Sequence, residues 1–310
     1  MKDILSRFMN AYWLRPETAM WRTLDVVSMQ EFEFKSPSLD LGCGDGTYSF
    51  LRAGGQFDDS FDVFSVDNLD LFFENYDVYD AEANNAIQIK KKADYKIDMG
   101  LDHKSTLLKK AGKLGLYKSF IVADANERLP FEDESFTTIF SNIVYWLNNP
   151  AKVFSEICRI LKPDGKCCVM LPGPQYIESS FYYRLYIKEQ RKEFDFLELL
   201  DRGRIQDNLK TLKSYMDWVK IIENSGGGLK VEKVIPHLSA TLISIWDIGM
   251  RPIFPILKKM TDEIPQEKKA GLKQEWIKTL EQVALPIIEN DDKLTQGKEY
   301  CFYCFILSRR

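Results

Sequence analysis

The stretch S-L-D-L-G-C-G-D-G-T-Y-S-F, residues 38–50, decides the fold. An apolar run ends around Asp40, and an apolar spacing typical of a helix begins at Thr47. Between them, three glycines stand at alternate positions: Gly42, Gly44 and Gly46. Glycine permits tight turns and a close backbone approach to a ligand, and a helix N-terminus presents unpaired N–H groups. The stretch therefore predicts a strand, a glycine turn and a helix beside a ligand.

The glycine spacing separates two classes of cofactor. Dinucleotide-binding folds use G-x-G-x-x-G, and this chain has D-x-G-x-G-x-G, which disfavours a nicotinamide dehydrogenase. The pattern resembles motif I of class I methyltransferases that use S-adenosylmethionine (SAM). The resemblance implies that SAM is the cofactor and that Asp40 holds the turn amides or, through water, the ammonium of SAM. It places these turn residues against the cofactor: Gly42, Cys43, Gly44 and Gly46.

The same resemblance requires an acidic residue at the end of the second core strand to bind the ribose hydroxyls. Two residues qualify: Asp67, which ends the run 61–66, and Asp102, which ends the alternating run 95–101. The interval from Asp102 to Asp124 holds one helix and one strand without surplus, and Gly-Leu-Asp ending at Asp102 resembles the G-x-D of the family. We therefore choose Asp102, followed by His103, and keep Asp67 as the alternative.

A second motif occupies residues 121–136, I-V-A-D-A-N-E-R-L-P-F-E-D-E-S-F. It resembles the D-A-x-x-L-P-F-x-D-x-S-F stretch of the same superfamily, which implies that Asp124 and Ala125 contact the adenine. Asn142 follows the next predicted strand, where cofactor and substrate meet in the family. A histidine is common near this point in the family, whereas this chain has Tyr145 and then tryptophan.

The residues before the first strand predict a helix beginning at Pro16, preceded by Tyr12 and Arg15. In methyltransferases of this type such a leading segment lies across the cofactor mouth, so the resemblance makes Tyr12 and Arg15 cofactor-binding residues. Near the other end of the chain, the spacing predicts one amphipathic helix. Its predicted apolar face consists of Leu272, Trp276, Leu280 and Val283.

The resemblance implies an α/β fold: a Rossmann-like, doubly wound, seven-stranded and mostly parallel sheet with helices on both faces. An N-terminal helix and helical insertions are expected to form a lid. The predicted segments are a helical cap at 1–35, the SAM-binding core at 36–174, a helical lid at 175–212, a core helix and strand at 213–236, a helical insertion at 237–298 and the last core strand at 299–310.

An inserted segment at about 57–93 interrupts the predicted core. From residue 57 to 82 it interleaves acidic residues with Phe and Tyr and contains no Lys or Arg, and lysines follow from Lys90. Two roles are open for the segment. It recruits a cationic substrate, or it pairs with the lysines on the neighbouring surface.

Composition narrows the class of protein. The chain has 310 residues, of which 45% are hydrophobic and 28% charged, as in a globular protein with a large core. A net charge of −4 gives no basic balance for nucleic acid. The pair Cys301-x-x-Cys304 stands alone, so we expect strand packing there and no metal site. We expect no signal peptide, no membrane span, reduced thiols and a cytoplasmic location.

These observations predict a SAM-dependent methyltransferase that moves a methyl group to an oxygen or nitrogen nucleophile. The acceptor would be a small or medium-sized metabolite, methylated by in-line displacement. An oxygen nucleophile must lose its proton, and the candidate bases are His237 and His103. Tyr145 is a third candidate catalytic residue, because an aromatic face suits a cationic sulfonium or amine. The alternative is a SAM-binding partner or regulatory protein without transferase activity. The sequence does not indicate an oligomeric state.

Overall fold

The computed structural model describes residues 1–63, 87–209, 213–226, 228–295, 297 and 299–310. Its strands in these ranges are β1 (Ser38–Leu41), β2 (Gln56–Phe57), β3 (Ile89–Lys91), β4 (Ile97–Asp102), β5 (Tyr117–Val122), β6 (Phe136–Ser141), β7 (Leu161–Pro172), β8 (Leu229–His237) and β9 (Phe302–Arg309).

The α-helices alternate with the strands in the first half of the chain and cluster in the second half. They are α1 (Lys2–Ala11), α2 (Pro16–Ser28), α3 (Thr47–Arg52), α4 (Ser105–Gly112), α5 (Pro150–Ile160), α6 (Pro174–Glu178), α7 (Phe196–Leu209), α8 (Tyr215–Glu223), α9 (Ala240–Ile248), α10 (Phe254–Asp262), α11 (Gln266–Glu289) and α12 (Asp291–Leu294). A π-helix covers Tyr182–Lys188, and short 3-10 helices cover Val144–Trp146 and Lys192–Phe194.

Seven strands form one sheet in the spatial order β5-β4-β1-β6-β7-β9-β8. The pairs from β5 through β7 are parallel, whereas β9 is antiparallel to both β7 and β8. Strand β8 therefore runs in the same direction as the five parallel strands. This topology confirms the prediction of a seven-stranded, mostly parallel α/β sheet, with Asp102 ending the strand next to β1.

Six strands end at one edge of the sheet, which we call the carboxyl edge. Strand β9 begins at this edge, because Phe302 pairs with both Pro172 and His237. Ligands of open α/β sheets bind outside the carboxyl ends of the strands, at the point where the strand order reverses. The residues met along this edge are Val122, Asp102, Leu41, Ser141, Pro172, Phe302 and His237.

The glycine turn joins β1 to α3, as the sequence predicts. Gly42 has φ +81° and Gly44 has φ +57°, values that favour glycine. The amides of Gly42 and Cys43 both donate to the carbonyl of Leu101, at 2.8 and 2.9 Å. These bonds attach the turn to the end of β4, so the acidic residue that follows Leu101 is held beside the turn.

Helices cover both faces of the sheet. On one face α5 and α8 pack against the strands through Phe154, Ile157 and Trp218, all fully buried. The indole Nε1 of Trp218 donates to the carbonyl of Pro172 at 2.8 Å, which satisfies a polar group that burial would otherwise penalise. On the other face the N-terminal helices and α3 share a hydrophobic cluster with the helices of the second half, α9 and α11 among them.

Two sequence expectations are corrected by the structure. The N-terminal region contains two helices, α1 and α2, and the predicted one corresponds to α2. The predicted apolar face of α11 is partly wrong, because Leu272 and Val283 are exposed whereas Lys273 is buried. The Lys273 ammonium donates to the carbonyl of Phe61, so a lysine occupies a core-facing position that an apolar pattern does not identify.

The inserted segment is described only at its two ends. There β2 and β3 form a small antiparallel sheet, and Lys90 forms an ion pair with Asp59 at 3.2 Å. Residues 64–86, including Asp67, lie outside the described residues. Both roles considered for the segment stay predictions. In the part of the chain that is described, no helix is long and apolar enough to cross a membrane.

Asp98 connects the starts of three strands and has a testable effect on stability. Its carboxylate accepts from the Ser38 amide at 2.8 Å and from the Lys118 ammonium at 2.6 Å. Partial burial opposes its ionisation, yet the hydrogen bonds from Lys118, Ser36 and Ser38 outweigh burial and lower the pKa of Asp98 to about 2. A lowered pKa stabilises the folded state above the unfolded pKa, which is about 4.

We expect Asp98→Asn to lower the free energy of unfolding by about 1–2 kcal/mol at pH 7. The difference from wild type should shrink as the pH falls from about 4 towards 2, where Asp98 becomes protonated in both states. Urea unfolding at several pH values measures this. Glu33→Gln is the control, because Glu33 is exposed and forms only a surface ion pair. A difference that is independent of pH would contradict the assignment.

Candidate cofactor site

The Asp102 carboxylate and the glycine turn form the centre of the site. Oδ2 of Asp102 accepts from the amide of Gly44 at 3.0 Å, and Oδ1 accepts from the amide of Lys104 at 2.9 Å. The side chain is buried, whereas the neighbouring His103 ring is largely exposed with Nδ1 3.3 Å from Asp102 Oδ1. Two backbone amides thus fix a carboxylate at the carboxyl edge, beside the turn.

A cavity of about 380 Å³ opens beside this carboxylate, along the ends of β4 and β5. Apolar residues that follow β6 form the opposite wall, including Ile143, Trp146 and Leu147, and the sequence patterns did not single out Leu147. Five residues predicted to bind the cofactor line this cavity together: Gly42, Asp102, His103, Asp124 and Ala125.

Asp124 lies at the exposed side of the cavity. Its Oδ1 accepts from the backbone amide of Asn126 at 2.8 Å and from the side-chain amide of Asn126 at 2.9 Å. These two bonds lower the pKa of Asp124. The carboxylate is therefore ionised at neutral pH and oriented, which suits it to accept a hydrogen bond from a ligand amine.

The glycine positions allow a test of whether SAM fits. A Cβ on Gly42 would lie 2.4 Å from the Ile143 side chain, so this glycine permits a close approach of the chain to itself. A Cβ on Gly44 would meet nothing within 4 Å, although the residue has a positive φ and its amide contacts Asp102. Open space over the turn and a carboxylate at its side match a ligand with a hydroxyl-bearing ribose and a cationic tail.

Asp40 lies beneath the turn, fully enclosed. Its Oδ2 accepts from Ser49 Oγ at 2.5 Å and from the Tyr117 hydroxyl at 2.7 Å. Burial raises the pKa of Asp40, although Arg52, Ser49 and Tyr117 oppose the rise. Within the described chain its hydrogen bonds come from these side chains and not from the turn amides, so a contact with the ammonium of SAM stays a prediction.

The other predicted cofactor residues lie around the turn without lining the cavity. Cys43 is half-buried, with Sγ 3.7 Å from the Gly44 carbonyl, and burial raises the pKa of its thiol. Asn142 directly follows β6. Tyr12 is buried and stacked on Phe8, with ring centroids 6.5 Å apart. Arg15 pairs with Glu17 at 2.9 Å. Their cofactor roles stay predictions.

The half of the carboxyl edge formed by β6, β7, β9 and β8 carries aromatic side chains. The ring of Phe302 lies 5.2 Å from Trp21, 4.9 Å from Tyr176 and 5.8 Å from Tyr145, measured between centroids. We call these four residues the aromatic cluster. Burial raises the pKa of the Tyr145 hydroxyl above its ordinary value. Helix α2 contributes Trp21 and covers the cluster from the side of the N-terminal helices.

A chain of charged and polar groups lies beside the aromatic cluster. His237 Nε2 is 3.0 Å from Asp25 Oδ1, and Arg22 Nη1 donates to Asp25 Oδ2 at 2.9 Å. His237 Nδ1 is buried and has no hydrogen-bond partner among the described residues. Burial opposes the charge of Arg22, but Asp25 outweighs it and raises the pKa of the guanidinium.

The sequence patterns missed Arg22 and Asp25. The signal that identifies them is an ion pair at i and i+3 on a helix whose other residues are mostly apolar. Charges on the buried side of a helix require partners from elsewhere in the fold. Here the partner is His237, more than two hundred residues away, so the pairing is visible only in the folded chain.

Parts of this chain are similar in sequence to known proteins. Residues 82–169 match the model of a family described as a methyltransferase domain, and the glycine turn lies before the matched range. The biotin biosynthesis bifunctional protein BioHC of Teredinibacter turnerae is 46% identical over 50 residues. The match covers 16% of this chain and 9% of that protein.

Two solved structures resemble the chain at low identity. A complex of the Haloferax volcanii Trm112 methyltransferase activator with a methyltransferase has a TM-score of 0.45 and 14% identity, covering 94% of this chain and 91% of that chain. A SAM-dependent methyltransferase from Aquifex aeolicus has a TM-score of 0.39 and 18% identity, covering 71% and 85%.

Residues 82–169 are thus similar to a methyltransferase domain, and this match supports SAM as the cofactor. It agrees with the resemblance of the motif at residues 121–136, which lies inside the matched range.

Gly44 provides a test of the turn with a matched control. We expect Gly44→Val to abolish SAM binding, because the new side chain would fill the open space over the turn. Gly115→Val is the control, since Gly115 also has a positive φ (+64°) and a Cβ added to it would meet nothing within 4 Å. Both variants should lose about 1–2 kcal/mol of stability from backbone strain. Titration calorimetry with SAM measures the effect, and equal binding by both variants would contradict it.

Asp102 and Asp67 provide a second test. We expect Asp102→Ala to weaken SAM binding by about tenfold to a hundredfold, because a charge-assisted hydrogen bond is lost. Asp67→Ala should leave the affinity unchanged. The same calorimetric titration compares the two variants. A strong effect of Asp67→Ala with no effect of Asp102→Ala would reverse our choice of ribose-binding residue.

Proposed function

We propose that the protein is a SAM-dependent methyltransferase acting on an oxygen or nitrogen nucleophile of a small or medium-sized metabolite. The observation that carries this proposal is the contact of the Asp102 carboxylate with the amide of Gly44 beside a cavity. That arrangement combines an acidic group with a turn whose Gly44 position is open. Net charge and the absence of a basic stripe in the sequence favour a small acceptor over a nucleic acid.

In this proposal the chain holds the cofactor along the half of the carboxyl edge that is formed by β5, β4 and β1. Asp102 accepts from the ribose hydroxyls, with His103 at the rim of the cavity. Asp124 and Ala125 bind the adenine, and the turn from Gly42 to Gly46 holds the amino-acid tail. We further propose that Asp40, Tyr12, Arg15 and Asn142 support that tail from below and from the N-terminal side.

Bound SAM supplies an activated methyl group attached to a cationic sulfur. The task left to the chain is to align an acceptor and to exclude water. The aromatic cluster and the helices around it suit this task, because they close the second half of the carboxyl edge with apolar surface. We propose that the segments 1–35, 175–212 and 237–298 act together as this cover.

For an oxygen nucleophile, we propose His237 as the group that removes the proton. Asp25 orients its ring through Nε2, and Nδ1 is left without a partner in the described structure. A carboxylate behind a histidine is the usual arrangement of a general base. His103 sits at the cavity of the cofactor half instead, so we propose it for cofactor binding. Tyr145 is proposed to contribute packing, since its ring lies 5.8 Å from that of Phe302 in the aromatic cluster.

The test is a product assay on protein first shown to bind SAM by calorimetry. Incubation with methyl-labelled SAM and a panel of small hydroxyl, amine and carboxylate compounds should release S-adenosylhomocysteine with at least one acceptor. Asp102→Ala should lose this release in parallel with SAM affinity. A protein that binds SAM and releases no S-adenosylhomocysteine with any acceptor would instead be the non-catalytic SAM-binding partner.

A further inference from the structure

The two halves of the carboxyl edge differ in chemistry. The half at β5, β4 and β1 offers carboxylates and backbone amides. The half at β6, β7, β9 and β8 offers the aromatic cluster and, on α2, the guanidinium of Arg22. Because the cofactor is assigned to the first half, the second half is where an acceptor must lie.

Asp25 holds the Arg22 guanidinium in place, but two of its three nitrogens have no hydrogen-bond partner among the described residues. Its Nη1 donates to Asp25, but Nε and Nη2 make no hydrogen bond within the described part of the chain. The side chain is 33% exposed, whereas that of Asp25 is 4% exposed. The guanidinium carbon lies 5.6 Å from the ring centroid of Trp21 and 5.4 Å from that of Tyr48. The rings and Asp25 therefore orient a cation whose remaining donors are accessible.

Two other arginines of the helical cover, Arg204 and Arg251, pair with buried carboxylates. Arg204 and Arg251 both contact the buried carboxylates of Asp201 and Asp247, at 2.5–3.2 Å. These two cations and two carboxylates therefore pair with one another. Arg22 differs, because its Nε and Nη2 have no hydrogen-bond partner among the described residues, and its one carboxylate partner also contacts His237.

The aromatic rings around Arg22 also argue against a cationic acceptor group at this position. A substrate amine would need a free ring face, and Arg22 already lies over faces of Trp21 and Tyr48. An ammonium placed beside the guanidinium would be repelled by it. A planar anion is favoured instead, since Nε and Nη2 of arginine match the two oxygens of a carboxylate.

We propose that the methyl acceptor carries a carboxylate and that Nε and Nη2 of Arg22 bind it. The proposal rests on the proposed methyltransferase function, because that function assigns this half of the edge to the acceptor. Asp25 is a positioning residue that holds the far side of the guanidinium. Arg22 is thus the residue that selects acidic acceptors over neutral acceptors of the same shape.

The experiment compares acids with their amides, which have similar shape but no charge. The probes are acetate, benzoate and 3-phenylpropanoate, each paired with its amide and titrated with and without S-adenosylhomocysteine by NMR. We expect wild type to bind at least one acid about tenfold or more tightly than its amide. Arg22→Gln should reduce this ratio to about one, and Arg22→Lys should restore part of it.

The control is Arg310→Gln, since Arg310 pairs with Glu223 at the opposite edge of the sheet and should leave the ratio unchanged. An unchanged affinity of Arg22→Gln for S-adenosylhomocysteine shows that the variant folds, and Arg22→Lys replaces it if it does not. Equal affinity for every acid and its amide, no binding of any acid, or a ratio that survives Arg22→Gln would overturn the proposal.

The cofactor titration separates this proposal from the proposed function. Protein that binds S-adenosylhomocysteine but shows no acid preference refutes the role of Arg22 alone. Protein that prefers acids through Arg22 but binds neither S-adenosylhomocysteine nor SAM supports the anion site and refutes the methyltransferase function.

Discussion

The hydrogen bond from the Gly44 amide to the Asp102 carboxylate connects the two parts on which the site depends. It joins the turn after β1 to the end of the neighbouring parallel strand β4. Two further bonds from the turn to the Leu101 carbonyl hold the same strands in register. Because a charged acceptor strengthens the bond and burial restricts its motion, the carboxylate stays at a defined place beside the turn. The cavity walls are arranged around this pair.

Buried charge organises the helices that cover the sheet. Asp25 connects α2 to the end of β8 through His237, and it also holds Arg22. Asp247 on α9 pairs with Arg204 of α7 and with Arg251. Leaving any of these charges unpaired in the interior would cost several kcal/mol. The pairs therefore favour one arrangement of the cover, in which the aromatic cluster faces the carboxyl edge.

Local patterns were sufficient for most of the core fold. The strand, turn and helix around residues 38–50 follow from glycine and apolar spacing, and the spacing after Asp102 identified the second core strand correctly. Apolar periodicity predicted the buried face of a helix less well where a polar residue is buried, as Lys273 is on α11. Its stem packs while its ammonium reaches a distant carbonyl, and apolar periodicity cannot register that partner.

The sequence by itself determined the strand, the glycine turn and the helix of residues 38–50, because these depend on neighbours in the chain. The resemblance of its motifs to a known superfamily implied five residues that line one cavity, because the ends of parallel strands meet at one edge. Tertiary structure alone decided the second half of the carboxyl edge. Arg22, Asp25 and His237 come together there from α2 and β8. What matters at these residues is which of their hydrogen-bonding groups have a partner and which do not. The partners come from segments far apart in the chain, so the sequence alone does not identify them.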